Sequence, residues 1–406
     1  MADATIKQGL ALLADRNVQR MFIAYVVSYS GTAMAPIAIA FGVLELTGST
    51  SDAAIVIAAP TLAATLVLLF GGVVADRTSR QRVIYSAELV AMCAQFGLAA
   101  LFLSGTATIP TLTAGMLVMG VAMAFHAPAV TGFVIQIVDE DDLQNANALL
   151  GIARNSAIIG GAALGGLLVA TVGAGWTLLL DAITFGISAL LVWGMRPKVQ
   201  RPPEPSSMFE DLRVGWREFT RHTWLWVIVL QFSLLVAAGE AFFGLVGPAF
   251  SRDFMDGAKD WGAIAASFGA GTLLGGLLAI KVRPKHPMRL AVSLIFFWPL
   301  SMLAMYLHSP LWVIALAGVM HGTTGQIFGV LWYTSLQKTV PAEMLSRVAA
   351  YDHLGSIGLA PLGVLLAGIS YEQFGPENTL LGMIAIYILP TILVLCVRDV
   401  RMMTTH

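Results

Sequence analysis

A chain of 406 residues that is 57% hydrophobic, only 12% charged and of mean hydropathy +0.79 has too little polar surface for a soluble globular domain. Its net charge of −1 comes with no basic, aromatic-interleaved arm for nucleic acid. Cys93 and Cys396 both lie inside apolar stretches, so neither a disulfide framework nor a metal cluster is expected, and no cofactor.

Crossing about 30 Å of hydrocarbon takes about 20 apolar residues, and twelve stretches qualify. They are 21–44, 53–75, 83–104, 110–138, 148–172, 175–195, 224–250, 261–280, 288–308, 311–337, 346–370 and 379–397. The first follows a polar start without a cleavage site and reads as a retained helix, not a signal peptide. After the sixth, Pro197, Pro202, Pro203 and Pro205 break any helix. Residues 206–220 then suit a short amphipathic surface helix with Phe209, Leu212, Trp216 and Phe219 on one face. The fold class expected is an all-α membrane protein, twelve transmembrane helices in two six-helix pseudo-symmetric bundles. The domains are an N-terminal bundle over 1–196, a cytoplasmic linker over 197–223 and a C-terminal bundle over 224–406.

Charge gives the orientation. Of the 23 Lys and Arg, 21 fall on the side of the termini and the even-numbered loops, and only Arg252 and Lys259 fall opposite. The positive-inside rule puts both termini in the cytoplasm. The halves also repeat: Gly71-Gly72-Val73-Val74-Ala75 after span 2 returns as Gly275-Gly276-Leu277-Leu278-Ala279 after span 8. Internal repeats of this kind build many secondary transporters, with the substrate site where the repeats meet.

Loop 2–3 reads Gly72-Val-Val-Ala-Asp76-Arg77-Thr-Ser-Arg80-Gln-Arg82, and other marked stretches are Leu44-Glu45-Leu46-Thr47-Gly48-Ser49, Ala127-Pro128-Ala129, Leu143-Gln-Asn145-Ala-Asn147-Ala-Leu149 and Pro361-Leu-Gly363. The first resembles the G-x-x-x-D-R-x-x-R signature of the major facilitator superfamily. Together they resemble its bacterial twelve-span drug–proton antiporter branch, which includes macrolide-efflux proteins and siderophore exporters. The resemblance covers essentially the whole chain. It implies a conformational latch at the cytoplasmic rim, formed by Gly72, Asp76, Arg77 and Arg80, with Arg154 and Asp352 near the cytoplasmic ends of spans 5 and 11 as a second pairing. It also implies a bacterial inner-membrane location. Where such antiporters carry G-P-x-x-G-G in span 5, this chain has Gly161-Ala162-Ala163-Leu164-Gly165-Gly166. Ala157, Gly161 and Gly165 recur every four residues, a spacing for close helix packing.

Ionisable side chains in hydrocarbon are costly, so depth discriminates among them. Glu88, Arg154, Asp181 and Asp352 lie within about 9 Å of a span end, and structural pairing is the expected role of each. Glu240 lies roughly 4–5 Å from the midplane of span 7. At an offset of 208 between the halves, Gly239-Glu240 falls on Gly31-Thr32; relatives often carry an acid at the span 1 position, where this chain has Thr32. His126 in span 4 and His321 in span 10 are also deep, with Gln326 near the latter. The resemblance implies that spans 1, 4, 7 and 10 line a cavity. Thr32, His126, Glu240, His321 and Gln326 are therefore the expected substrate-cavity residues, and Glu240, His126 and His321 the proton-coupling candidates.

The expected function is proton-coupled efflux of lipophilic or amphipathic small molecules by alternating access, by a monomer in the lipid bilayer. The partners are the small-molecule substrate and protons, with no nucleic acid. A siderophore or other metabolite exporter is the alternative, and a transport-inactive sensor or scaffold the alternative of another class. No Walker loop, metal pattern or nucleophile triad points to an enzyme.

Overall fold

The computed structural model describes residues 11–139, 142–197, 208–341 and 344–404; the side chains of 68–77, 208–212, 214 and 346 lie outside that description. Among the described residues there are helices and no strand. The chain divides into two compact units, residues 1–204 with 256–262, and residues 205–255 with 263–406.

The first unit contains α1 (Arg16–Thr47), α2 (Thr50–Arg77), α3 (Arg80–Leu103), α4 (Ile109–Ile137) and α5 (Leu143–Trp193). Local chemistry sets the ends. Asp15 accepts from the N–H groups of Asn17 and Val18 at 2.8 and 3.1 Å, capping α1. Gly48 closes it with φ +71°, a conformation that glycine adopts without strain. Thr108 and Thr111 make a reciprocal cap at the start of α4.

α5 has 51 residues, about 75 Å of helix, more than twice the hydrocarbon thickness. Gly173, at φ +86° and ψ +171°, breaks it. The packing shows that the chain reverses there. A Cβ on Gly161 would strike the Ser30 carbonyl, one on Gly165 would sit 2.8 Å from the Met34 Cα, and one on Gly31 would strike Asp181 and Thr184. Residues equally far before and after Gly173 thus meet the same turns of α1. Spans 5 and 6 are the two legs of one hairpin. The small residues of span 5 serve close contact with α1, and no kink occurs where Ala162 stands.

The second unit contains α6 (Met208–Arg221), α7 (Thr223–Ala241), a π-helical stretch (Phe242–Val246), α8 (Gly247–Phe254) and α9 (Ala258–Ala279), whose first turn clusters with the first unit. Then come α10 (Pro287–Leu294), α11 (Leu300–Tyr306), α12 (Leu311–Thr339), α13 (Leu345–Ile357), α14 (Ala360–Cys396) and α15 (Arg398–Met402). α14 repeats the device of α5. Gly375 has φ +83° and ψ +166°; Gly363 before it abuts Ala237, and the Tyr387 hydroxyl after it donates to Leu235 O at 3.2 Å. Thr177 and Thr379 donate to the carbonyls of Gly173 and Gly375, each at 2.9 Å. Ten described helices are long and apolar enough to span a membrane. The two long ones each supply two legs, consistent with the twelve crossings expected from hydropathy.

The expected surface helix is α6: Phe219 is buried, and Trp216 packs on it and on Tyr351 at centroid distances of 5.8 and 5.3 Å. Phe209 and Leu212 belong to the side chains outside the description.

Candidate functional site

Each unit builds its own polar constellation inside apolar helices. In the first, α3 and the second leg of α5 share a polar seam. Glu88 and Gln95 are seven residues apart on α3, and Asp181 and Ser188 are seven apart on α5; two turns return a side chain to the same face. Ser188 Oγ donates to Glu88 Oε1 at 2.8 Å, and the Gln95 amide donates to Asp181 Oδ2. Thr184 Oγ1 adds a bond to Asp181 Oδ1 at 3.2 Å. Glu88 is 2% exposed and Asp181 0%, so neither reaches water despite its distance from the middle of the span. The room for Asp181 is made by Gly31. A carboxylate from span 6 is thus seated against span 1 at Gly31, next to Thr32.

His126 Nε2 meets the same Glu88 Oε1 at 3.0 Å, and His126 is 17% exposed. Glu88 Oε2 has no partner. Tyr25 and Tyr29, with ring centroids 5.1 Å apart, line the cavity beside Glu88 and His126. Arg154, on the first leg of α5, lies at the Tyr29 hydroxyl.

At the end of the first unit, Arg80 Nη1 donates to Gly132 O at 2.7 Å, tying loop 2–3 to α4. Gln81 donates to the carbonyls of Val192 and Met195 at 2.8 and 2.9 Å, and Arg20 donates to Gly194 O. Side chains from two other helices thus close the carbonyl end of α5, where a cation also opposes the helix dipole. Gln81, just after the motif, acts as a cap. Gly72, Asp76 and Arg77 lie on the α2 backbone, but their side chains fall outside the described residues.

The second unit gathers rings. Glu240 ends the straight part of α7 just before the π-helical stretch, a local irregularity common at functional sites. Glu240 is exposed. It lines a pocket of ≈ 200 Å³ with Leu235, Phe243, Trp298, His321 and Tyr387, so the structure brings two of the sequence candidates together. His321 is 6% exposed and is packed by Trp298, Phe243 and Phe268 at 5.3, 5.7 and 4.9 Å. Its Nδ1 has no partner, nor does Trp298 Nε1.

Trp298 sits where Pro299 interrupts span 9 between a 3₁₀ turn and α11. Its other side faces a second pocket of ≈ 340 Å³ lined by Phe232, Phe328, Trp332, Tyr333 and Asp352. Asp352 accepts from Trp332 Nε1 at 3.0 Å and from Ser356 at 3.5 Å. Gln326 lies over Gly275 and Gly276 and is absent from the walls of both pockets. Thr32 is half-buried next to Gly31 in the first unit. Sequence reasoning missed the Glu88–Ser188 and Gln95–Asp181 pairs and the role of Trp298. The seven-residue spacing of polar residues in two apolar spans was the available signal for the pairs.

Helices that span a membrane, buried polar seams and an open aromatic pocket define a multi-pass membrane transporter. The chain belongs to the transmembrane secretion effectors of the major facilitator superfamily, whose family model matches residues 7–405. It is similar to the enterobactin exporter EntS of Escherichia coli, 26% identical over 389 residues that cover 90% of this chain and 91% of that protein. EntS of Shigella boydii serotype 18 is likewise 26% identical, over 387 residues and the same shares. Among solved structures, the nucleoside transporter NupG shares the fold with a TM-score of 0.73 at 13% identity, over 94% of this chain and 98% of that one. A bacterial homolog of the human lysosomal transporter Spinster, inward-facing and unoccupied, gives 0.70 at 15% identity over 95% and 96%. Membership makes the protein a transporter, not an enzyme.

Proposed function

We propose that the protein exports aromatic, amphipathic small molecules across the bacterial inner membrane in exchange for protons. The observation that carries this reading is the aromatic pocket of the second unit, with buried polar atoms at His321 and Trp298 that lack a partner. Adaptable aromatic walls with a few fixed polar atoms suit a ring-bearing ligand that can offer a hydrogen bond. A buried polar atom without a partner costs about 1–3 kcal/mol, and a ligand group that satisfies it recovers that cost. Glu240 then faces the substrate. Buried carboxylates within the spans make a proton the natural coupling ion. In this reading the chain works as a monomer, with both termini cytoplasmic, as an N-terminal bundle over 1–196 and a C-terminal bundle over 224–406. Asp76 and Arg77 act with Arg80 as the cytoplasmic latch, and Arg154 and Asp352 remain candidates for the second pairing.

A second reading, export of a siderophore-type metabolite, is favoured by the enterobactin exporters among the relatives. Purified protein in lipid vesicles, tested with ethidium, macrolides and enterobactin, with and without an uncoupler, tests both. Uphill movement of ethidium or macrolide supports the first reading, and of enterobactin alone the second. Movement of none of them would leave a sensor or scaffold.

A further inference from the structure

We propose that the coupling proton is held in the first unit, by Glu88 with His126, and that Glu240 serves the substrate instead. The inference rests on the proton-exchange reading above and names the site that carries it.

The geometry is that of a one-proton pair. Glu88 Oε1 receives both Ser188 Oγ and His126 Nε2. A carboxylic acid beside a neutral imidazole, or a carboxylate beside an imidazolium, is neutral overall; one proton fewer leaves a carboxylate beside a neutral imidazole, a net negative charge in a buried place. That charge lies away from bulk water and calls for a solvating partner. The cavity beside the pair, ≈ 10 Å³, has room for about one water molecule. His126, partly exposed where Glu88 is not, is the way in and out, and release passes the proton from the pair to entering water. Oε2, the unpartnered oxygen, is the atom such a water meets.

The groups facing the pair fit a proton site. From α1 come Tyr25 and Tyr29; from α4, His126; from the first leg of α5, Arg154 at the Tyr29 hydroxyl; and from the second leg, Ser188, with Asp181 two turns away. The seam links protonation to shape, because sliding the second leg of α5 along α3 breaks Glu88–Ser188 and Gln95–Asp181 together. Glu240 differs in its setting: among the described residues it makes no hydrogen bond, and it lines the aromatic pocket with His321 and Trp298. A carboxylate in that wall meets the substrate directly.

The test uses full-length protein in vesicles with the potential clamped, a pH step of about one unit, and ethidium or enterobactin, whichever the export assay shows to move. One proton exchanged per molecule then supports about tenfold accumulation. Wild type should reach it and lose it with uncoupler. Glu88→Gln and His126→Asn should fall to about onefold while downhill exchange persists, and Glu240→Gln should keep pH-driven accumulation with weaker apparent affinity. In detergent with a pH dye, adding the probe should release protons from wild type and from Glu240→Gln but not from Glu88→Gln. Gel filtration checks folding; if Glu88→Gln misfolds, His126→Asn carries the comparison. Wild-type accumulation that ignores the uncoupler overturns the exchange reading and this inference with it. Uncoupler-sensitive wild type with Glu88→Gln and His126→Asn unimpaired overturns this inference alone.

Discussion

Replacing Trp298 with alanine removes the wall between the two aromatic pockets of the second unit. The indole meets four rings: His321 at 5.3 Å, Phe232 and Phe328 at 5.8 Å and Tyr387 at 6.3 Å. At about 0.5–1.5 kcal/mol per ring pair, their loss amounts to roughly 2–6 kcal/mol, in line with the roughly 3–5 kcal/mol typical of a buried Trp→Ala change. The unit should therefore unfold at a clearly lower temperature, whereas Trp298→Phe should lose only part of this. Function should change in kind as well. The ≈ 200 Å³ pocket lies below the roughly 300–1,000 Å³ that holds drug-sized ligands, and opening it into the ≈ 340 Å³ pocket brings the joined space into that range. Small aromatic probes that stack on the indole should bind about 2- to 13-fold more weakly, the equivalent of one stacking pair. Bulkier probes should gain. The assay is competition by a size-ranked dye panel in vesicles, with thermal unfolding in detergent alongside. A folded Trp298→Ala protein with unchanged size preference would refute the assignment of these pockets to substrate.

Adjacent glycines should behave in opposite ways. Gly161→Ala drives a methyl into the Ser30 carbonyl, while a Cβ at Gly160 meets nothing within 4 Å. The first should cost about 1–3 kcal/mol and the second nothing or a slight gain, measured by thermal unfolding of both. Asp76→Asn should impair transport at near-normal membrane abundance if it closes the cytoplasmic side; full activity would reduce loop 2–3 to a topology signal. In a background without Cys93 and Cys396, a cysteine at Thr106 should react with an impermeant thiol reagent outside intact cells, and one at Ser79 should not. Labelling of Ser79 from outside would reverse the orientation.

Hydropathy made the class readable, because the bilayer imposes a length, whereas the one-sided cations give an expected orientation that the labelling experiment tests. The reversals at Gly173 and Gly375 were less legible: glycine is common in spans, and only a positive φ marks these two. Depth along a helix separated Glu240 from other acids but does not tell how dry Glu88 and Asp181 are. Depth measures distance to the membrane face, and burial depends on which neighbour covers the side chain. Gly31 shows the limit most clearly. In the sequence it is one small residue beside Thr32, and only packing reveals it as the seat of an acid from another helix. Gln326 does not line the two aromatic pockets, since facing direction within a span depends on partner helices that periodicity does not name.

With a single non-helical residue between their legs, spans 5 and 6 leave no loop to be carried across the bilayer as a separate step. Residues 171–176 bear no charge, so the turn itself resists insertion little. The two legs are therefore delivered to the lipid as one helical hairpin. Asp181 and Ser188 lie on its second leg, and their partners on α3 are already in the membrane by then. Synthesis has to run to about Trp193 before those partners are met, so the fifth span waits for the sixth. A truncation inside this hairpin should strand Glu88 and Gln95 facing lipid, a natural mark for quality-control proteolysis.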